Sequence, residues 1–142
     1  MSINYQTKQH VGILQSALYE LIGDKTVKIK DLFTASCYDE IEMWRRTITT
    51  NEEGEQEEVI EPVEKPSEEA LVAKFLELKN KKYYTALRKE RDRRIAASDW
   101  MANSDVTMSD AWRTYRQALR DITTQTPEDE YLSNIVWPVE PQ

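Results

Sequence analysis

The chain has 142 residues, of which 39% are hydrophobic and 32% are charged, and its mean hydropathy is -0.72. A chain of this length can bury one modest core, and this composition predicts that much of it lies at a wetted surface or in a linker. The net charge of -7 argues against a general binder of nucleic acid or of anionic membranes, because such binding depends on clustered Lys and Arg.

The first fifty residues predict a small N-terminal region with one helix. Apolar residues from Val11 to Ile22 recur at the three- and four-residue spacing of one helical face, and Gly23 provides a stop. The stretch 26–48 mixes short apolar runs with β-branched residues, which allows short strands. We therefore expect a helix at about 11–22 and leave strands in 26–48 open.

Residues 51–66 contain seven glutamates, one glycine and two prolines. This composition predicts an acidic linker or an exposed hairpin loop. The alternative is a β-hairpin that turns at Asn51-Glu52-Glu53-Gly54-Glu55, with strands on either side.

Two amphipathic helices are predicted after this segment. Ser67 provides an N-cap, and no Gly or Pro interrupts the chain from there to Trp100, so a long helix of about 45 Å is expected. Ser109 offers a second N-cap for a shorter helix at about Asp110–Ile122. The short connection predicts that residues 67–142 form an antiparallel helical hairpin, with an extended tail beyond Pro127 strapped across it.

The expected fold class is therefore mainly α, with an α+β fold left open. In the mainly α interpretation, the acidic linker joins the small N-terminal region to the long-helix and short-helix hairpin. Each helix has one apolar stripe, and a stripe of this kind is buried when it faces another element.

Few residues are suited to catalysis or metal binding. The chain has a single histidine, His10, and a single cysteine, Cys37, so neither a nucleophile paired with a base nor a zinc site is expected. Its three glycines form no phosphate-binding loop. We expect a protein that is not an enzyme and has no metal and no cofactor. Met1–His10 has neither the basic nor the apolar region of a signal peptide, and no stretch is long and apolar enough for a spanning helix.

The long helix carries a concentration of positive charge that is open to two interpretations. Eight cations lie among residues 79–94, interleaved with Tyr83 and Tyr84, and this pattern allows nucleic-acid binding. In the structural interpretation, the cations pair along the helix, as Glu90 and Arg94 can, and favour its C-terminal end. The structural interpretation agrees better with the net charge, so nucleic acid is not expected as a partner.

The C-terminal third contains several short sequence motifs in a fixed order. They are Arg91-Asp92-Arg93-Arg94, Ala97-Ser98-Asp99-Trp100, the run from Ala111 to Ile122 that begins Ala111-Trp112-Arg113, and Val136-Trp137-Pro138. Together they resemble the phage tail assembly chaperone and tail-fibre assembly protein families. The resemblance covers about Arg88 to Pro141, and the first 66 residues fall outside it.

The resemblance implies a protein that binds a phage tail or tail-fibre component and assists its assembly in the host cytoplasm. The alternative is a structural subunit, a tail or fibre adaptor, that stays in the virion tail. In modular phage proteins a divergent N-terminal region would select the partner. A homo-oligomer is left open, and no membrane partner is expected.

Large aromatic side chains with arginines beside them suit a protein-binding surface. The predicted binding residues are Trp100, Trp112, Tyr115, Arg116, Leu119, Arg120 and Trp137. The alternative is that Trp112, Leu119 and Ile122 instead close the core between the helices.

Overall fold

The computed structural model describes residues 8–24, 26–30, 38–103 and 106–142. Cys37 and the first seven residues, on which the sequence supported interpretations, lie outside these ranges. The chain divides into two compact units, Met1–Leu78 and Lys79–Gln142, called here the N-terminal and C-terminal units. Each unit has its own buried apolar cluster.

The described residues form an α+β fold, so the mainly α prediction is wrong. The helices are α1 (Lys8–Ile22), α2 (Glu68–Ala97) and α3 (Asp110–Arg120), and the strands are β1 (Lys28–Lys30), β2 (Glu42–Thr50) and β3 (Gln56–Pro62). The strands form an antiparallel sheet in the order β1-β2-β3. Short 3-10 helices cover Tyr38–Glu40, Asp99–Ala102 and Asp121–Thr124.

The glutamate-rich segment forms a turn and a strand, so the acidic linker of the mainly α prediction is wrong and the β-hairpin alternative is confirmed. Thr50 pairs with Gln56 across the turn. The Asn51 side-chain oxygen accepts hydrogen bonds from the backbone N–H groups of Glu53 at 3.1 Å and Glu55 at 2.8 Å. Gly54 has a φ of +83°, a conformation that glycine adopts without strain. The glutamates of β3 lie in water, where their charge does not oppose pairing.

The predicted N-terminal helix is confirmed, and its apolar face forms the core of the N-terminal unit. Leu14 and Leu18 of α1 are fully buried, and the same cluster includes Met43 of β2 and Phe75 of α2. Gly23, at φ +71°, donates its N–H to the Tyr19 carbonyl at 3.0 Å and ends the helix as predicted. The core is therefore shared by two helices and one face of the sheet.

The long helix is also confirmed, with the expected cap. The Ser67 hydroxyl accepts a hydrogen bond from the Ala70 N–H at 3.2 Å, and Glu68 and Glu69 occupy the positive end of the helix dipole. Buried residues of α2 occur in both units: Leu71 lies in the N-terminal unit and Leu87 in the C-terminal unit.

The helical hairpin predicted for residues 67–142 is not formed, because α2 and α3 do not lie side by side along their lengths. The 3-10 helix Asp99–Ala102 follows α2 almost at once, and its Met101 is buried with Trp112 and Leu119 of α3. A second cluster joins Leu87, Ile122 and Ile135. The helical spacing identified the buried face of each helix correctly but carried no information about what covers that face.

Candidate protein-binding surface

The N-terminal cap of α3 fixes which of its side chains are buried. The Ser109 hydroxyl accepts a hydrogen bond from the Trp112 N–H at 3.4 Å, and Arg113 pairs with Asp110 at 2.9 Å within the first turn. With the helix start fixed, the side chains of residues 112, 115, 116 and 119 lie on the inward face, and all four are buried.

Three aromatic rings form a continuous series from the surface into the core. Trp100 packs edge-to-face on Trp112 with ring centroids 5.8 Å apart, and Trp112 packs in the same way on Tyr115 at 5.7 Å. Trp112 and Tyr115 are buried, whereas Trp100 is 54% exposed. The structure therefore brings these three predicted residues together and presents only Trp100 to solvent.

Arg116 is buried and holds the turn that carries Trp100. Its guanidinium donates hydrogen bonds to the Ser98 hydroxyl at 2.6 Å, the Ile95 carbonyl at 3.3 Å and the Asp99 carboxylate at 2.9 Å. A cation at this place also favours the C-terminal end of α2. Arg116 thus joins α3 to the residues just before Trp100. Its partners are 17 to 21 positions away in the sequence, so no local signal indicated these contacts.

Leu119 is fully buried, and Trp112 and Ile122 are nearly so. Trp112 and Leu119 lie in the cluster with Met101, and Ile122 lies in the cluster with Leu87 and Ile135, so they are core residues but not of a helical hairpin.

Arg120 lies apart from the aromatic series and is exposed at the last turn of α3. It lines an open cleft of about 680 Å³ whose other walls include Met108, Arg113, Gln117 and Asp121. The cleft exposes both apolar and charged groups, and Arg120 is one of the charged groups at its wall.

Trp137, in the tail, packs against the core of the C-terminal unit and contacts Arg94 of α2. The guanidinium of Arg94 lies 4.3 Å from the centre of the Trp137 ring, within cation–π range. Arg94 also pairs with Glu90 at 2.9 Å, as the sequence predicted, and Arg93 pairs with Glu90 at 2.8 Å. Hydrogen bonds from Arg93 and Arg94 lower the pKa of Glu90 from 4.5 to about 2.

The tail contains turns as well as extended chain. The Gln125 amide pairs with the backbone of Val136 in both directions, donating to its carbonyl and accepting from its N–H, each at 2.9 Å. The Asn134 amide donates to the Thr126 carbonyl at 2.8 Å, and Ile135 is buried. These two amides hold the segment that leads to Trp137, and no local sequence pattern indicated their role.

The contacts of the basic stretch support the structural interpretation. Besides the pairs with Glu90, Lys82 pairs with Glu130 and Arg91 with Asp92. The guanidinium of Arg88 lies over the ring of Tyr84. Several cations of α2 are therefore paired locally.

In the part of the chain that the structure describes, no three His, Cys, Asp or Glu side chains come together in a group that could hold a metal ion. Over the same residues, no helix is long and apolar enough to cross a bilayer. His10 packs edge-on against Phe75, with ring centroids 5.2 Å apart, in the N-terminal unit.

Residues 84–142 match the family model described as phage tail assembly chaperone protein. No curated protein and no solved structure matches the chain. The matched residues include most of the C-terminal unit, with α3, the aromatic series and the tail. The matched residues are fewer than half of the chain, and the family's description names an assembly chaperone of the phage tail. The resemblance is therefore confirmed for the C-terminal part of the chain, which carries the sequence signature of phage tail assembly chaperone proteins.

Proposed function

We propose that this protein binds a phage tail or tail-fibre component through the C-terminal unit and assists its assembly, with Trp100 as the main contact. The observation that carries the proposal is the position of Trp100, which is 54% exposed and supported from below by the buried ring of Trp112. A large aromatic side chain held in one orientation loses little rotamer freedom on binding, and such residues dominate protein interfaces.

The surroundings of Trp100 favour a preformed contact. Arg116 fixes the turn before it through Ser98 and Asp99, and Trp112 fixes its ring from the side of α3. Binding then orders few groups, which lowers its entropic cost. In this proposal Arg120 contributes a cationic border, while Tyr115, Leu119 and Trp137 act through the core that positions the surface.

The protein acts in the host cytoplasm while tails are being made, and it covers apolar surface of the immature component that would otherwise aggregate. Quantitative mass spectrometry of purified virions distinguishes this role from that of a retained tail or fibre adaptor. A transient chaperone is expected well below one copy per copy of the component it binds, and stoichiometric presence would contradict the transient role.

Co-purification from infected cells tests the contact itself. A tagged wild-type chain is expected to retain one tail polypeptide, and the Trp100→Ala variant to lose about 30-fold in affinity for it, because a central interface tryptophan typically contributes at least about 2 kcal/mol.

Tyr131→Ala is the matched control, since it removes another aromatic side chain of the same unit that is even more exposed, at 80%. It should bind within about two-fold of wild type, as most exposed residues outside a contact do. Equal recovery with wild type and Trp100→Ala would overturn the proposed contact.

A further inference from the structure

Strand β3 leaves one side of the sheet without a neighbour among the described residues. In antiparallel pairing, alternate residues direct their backbone groups toward the partner strand and away from it. Val63 donates its N–H to the Met43 carbonyl at 2.9 Å. The backbone N–H and C=O groups of residues 57, 59 and 61, which follow the same alternation, therefore also point toward β2. The N–H groups of Gln56, Glu58 and Ile60 therefore point outward, and this free edge can pair with another strand.

One face of the sheet beside this edge is apolar and exposed. Ile60 is 62% exposed, and Trp44 and Pro62, which pair across the strands, lie on the same face. These three residues line an open cleft of about 630 Å³, which continues to Ile41 and Val63 and whose charged lining is Lys30, Lys65, Asp39 and Glu42. A strand added at the edge would place every second side chain next to Ile60 and the mouth of this cleft.

The other face of β3 is acidic. Glu57 and Glu61 lie there, each two positions from Val59 and on opposite sides of it along the strand. Arg45, which is directly opposite Glu61, is held by Asp24 at 2.7 Å, and within the described ranges no cation pairs with either glutamate. By contrast, Glu58 on the apolar face pairs with Arg46.

This pattern selects the occupant of the edge. A second copy of β3 would bring glutamates close to glutamates, and like charges on neighbouring strands destabilise their pairing. A strand with Lys or Arg at alternate positions would meet Glu57 and Glu61 on one face. Apolar residues at the positions between them would meet Ile60 on the other.

We propose that the β3 edge binds an extended segment of a partner protein in which basic and apolar residues alternate, and that this segment joins the sheet as a fourth strand. Backbone hydrogen bonds to the outward groups of β3 provide affinity, and the two faces provide specificity. This surface belongs to the N-terminal unit and lies before the residues that match the family model. It is thus distinct from the Trp100 surface, and the failure of either proposal leaves the other standing.

Fluorescence anisotropy with labelled nine-residue peptides tests the proposal on the full chain. The first peptide alternates Lys and Val, the second alternates Glu and Val, and the third contains the residues of the first in blocks of Lys and of Val. The first peptide should bind at least ten-fold more tightly than either of the others. Equal binding of the first and third peptides would show attraction by charge alone and would overturn strand addition.

The charge contribution is tested by two double variants of equal net charge. Glu57→Lys with Glu61→Lys is expected to weaken binding of the Lys-Val peptide by about ten-fold, because two attractive cross-strand pairs become repulsive. Glu52→Lys with Glu53→Lys, in the turn beyond the strand, should change binding by less than about two-fold, since exposed charges away from the contact are screened. Equal losses in the two variants would contradict the proposal.

A third measurement uses only the wild-type chain and so does not depend on the folding of any variant. Two forms of the Lys-Val peptide are compared, one N-methylated at the odd-numbered amides and one at the even-numbered amides. One form should lose binding and the other should keep it, because only one set of amides faces β3. Equal tolerance of both sets would overturn the proposal. Sedimentation of the chain alone gives the remaining outcome: a dimer that the Lys-Val peptide dissociates would identify a second copy as the occupant and refute a foreign segment.

Discussion

Replacement of Arg116 with methionine should destabilise the C-terminal unit, although arginine is usually a surface residue. The substitution removes hydrogen bonds to the Ser98 hydroxyl at 2.6 Å and to the Ile95 carbonyl at 3.3 Å. Each hydrogen bond that involves a charged group contributes about 1.5–3 kcal/mol. The ion pair with Asp99 adds little, because the Asp99 side chain is 61% exposed.

Part of this loss is offset, because methionine retains the aliphatic contacts and carries no buried charge that must be desolvated. The net expectation is a decrease of about 2 kcal/mol in the free energy of unfolding. Urea unfolding followed by indole fluorescence measures it, since three of the four tryptophans lie in residues 79–142.

Arg120→Met is the matched control, because it makes the same chemical change at an exposed position of the same helix. Its effect should stay within about 0.5 kcal/mol, as is usual for surface substitutions. If the two variants unfold at the same urea concentration, Arg116 does not hold the turn before Trp100 and the reasoning is refuted.

Two further predictions concern the same unit. Trp112→Ala should lower the free energy of unfolding in urea by about 3–5 kcal/mol, because it empties a buried aromatic site. Trp100→Ala should lower it by less than about 1 kcal/mol, because that side chain is exposed. Similar losses would contradict the division into a buried support and an exposed contact. Because the folded-state pKa of Glu90 is lowered to about 2 from an ordinary 4.5, its stabilising contribution is complete above pH 4.5 and is lost as the pH falls toward 2. Acid unfolding of Glu90→Gln should therefore show a smaller loss of stability across this range than wild type, and identical profiles would contradict the assignment.

Sequence reasoning worked best where the pattern is local. The spacing of apolar residues and the caps at Ser67 and Ser109 located the helices α2 and α3. The structure has the expected hydrogen bonds at both caps. The sequence motifs around Trp100, Trp112 and Trp137 indicated the resemblance to phage tail assembly chaperones, and the family match confirms it for residues 84–142. Each of these signals lies within a few neighbouring residues, so one sequence is enough to recognise it.

Sequence reasoning failed where distant residues decide the structure. Glutamates disfavour a strand by composition, yet β3 forms because β2 provides its hydrogen bonds and both of its faces leave the carboxylates largely in water. The hairpin of helices was the simplest way to cover two apolar stripes, but the chain uses Met101 and the tail residue Ile135 instead. Burial of Arg116 depends on its hydrogen bonds to Ser98 and Asp99. The residues next to Arg116 in the sequence do not indicate those contacts.

Hydroxyl-radical footprinting of the chain, free and in complex with the co-purified tail polypeptide, reports exposure residue by residue and so shows whether Trp100 lies in the contact. Oxidation of Trp100 is expected to fall several-fold in the complex, because a contact at the centre of an interface is sealed from water. Tyr131, which is 80% exposed, should be oxidised at the same rate in both states. A complex in which Trp100 is oxidised as fast as in the free chain would contradict the account.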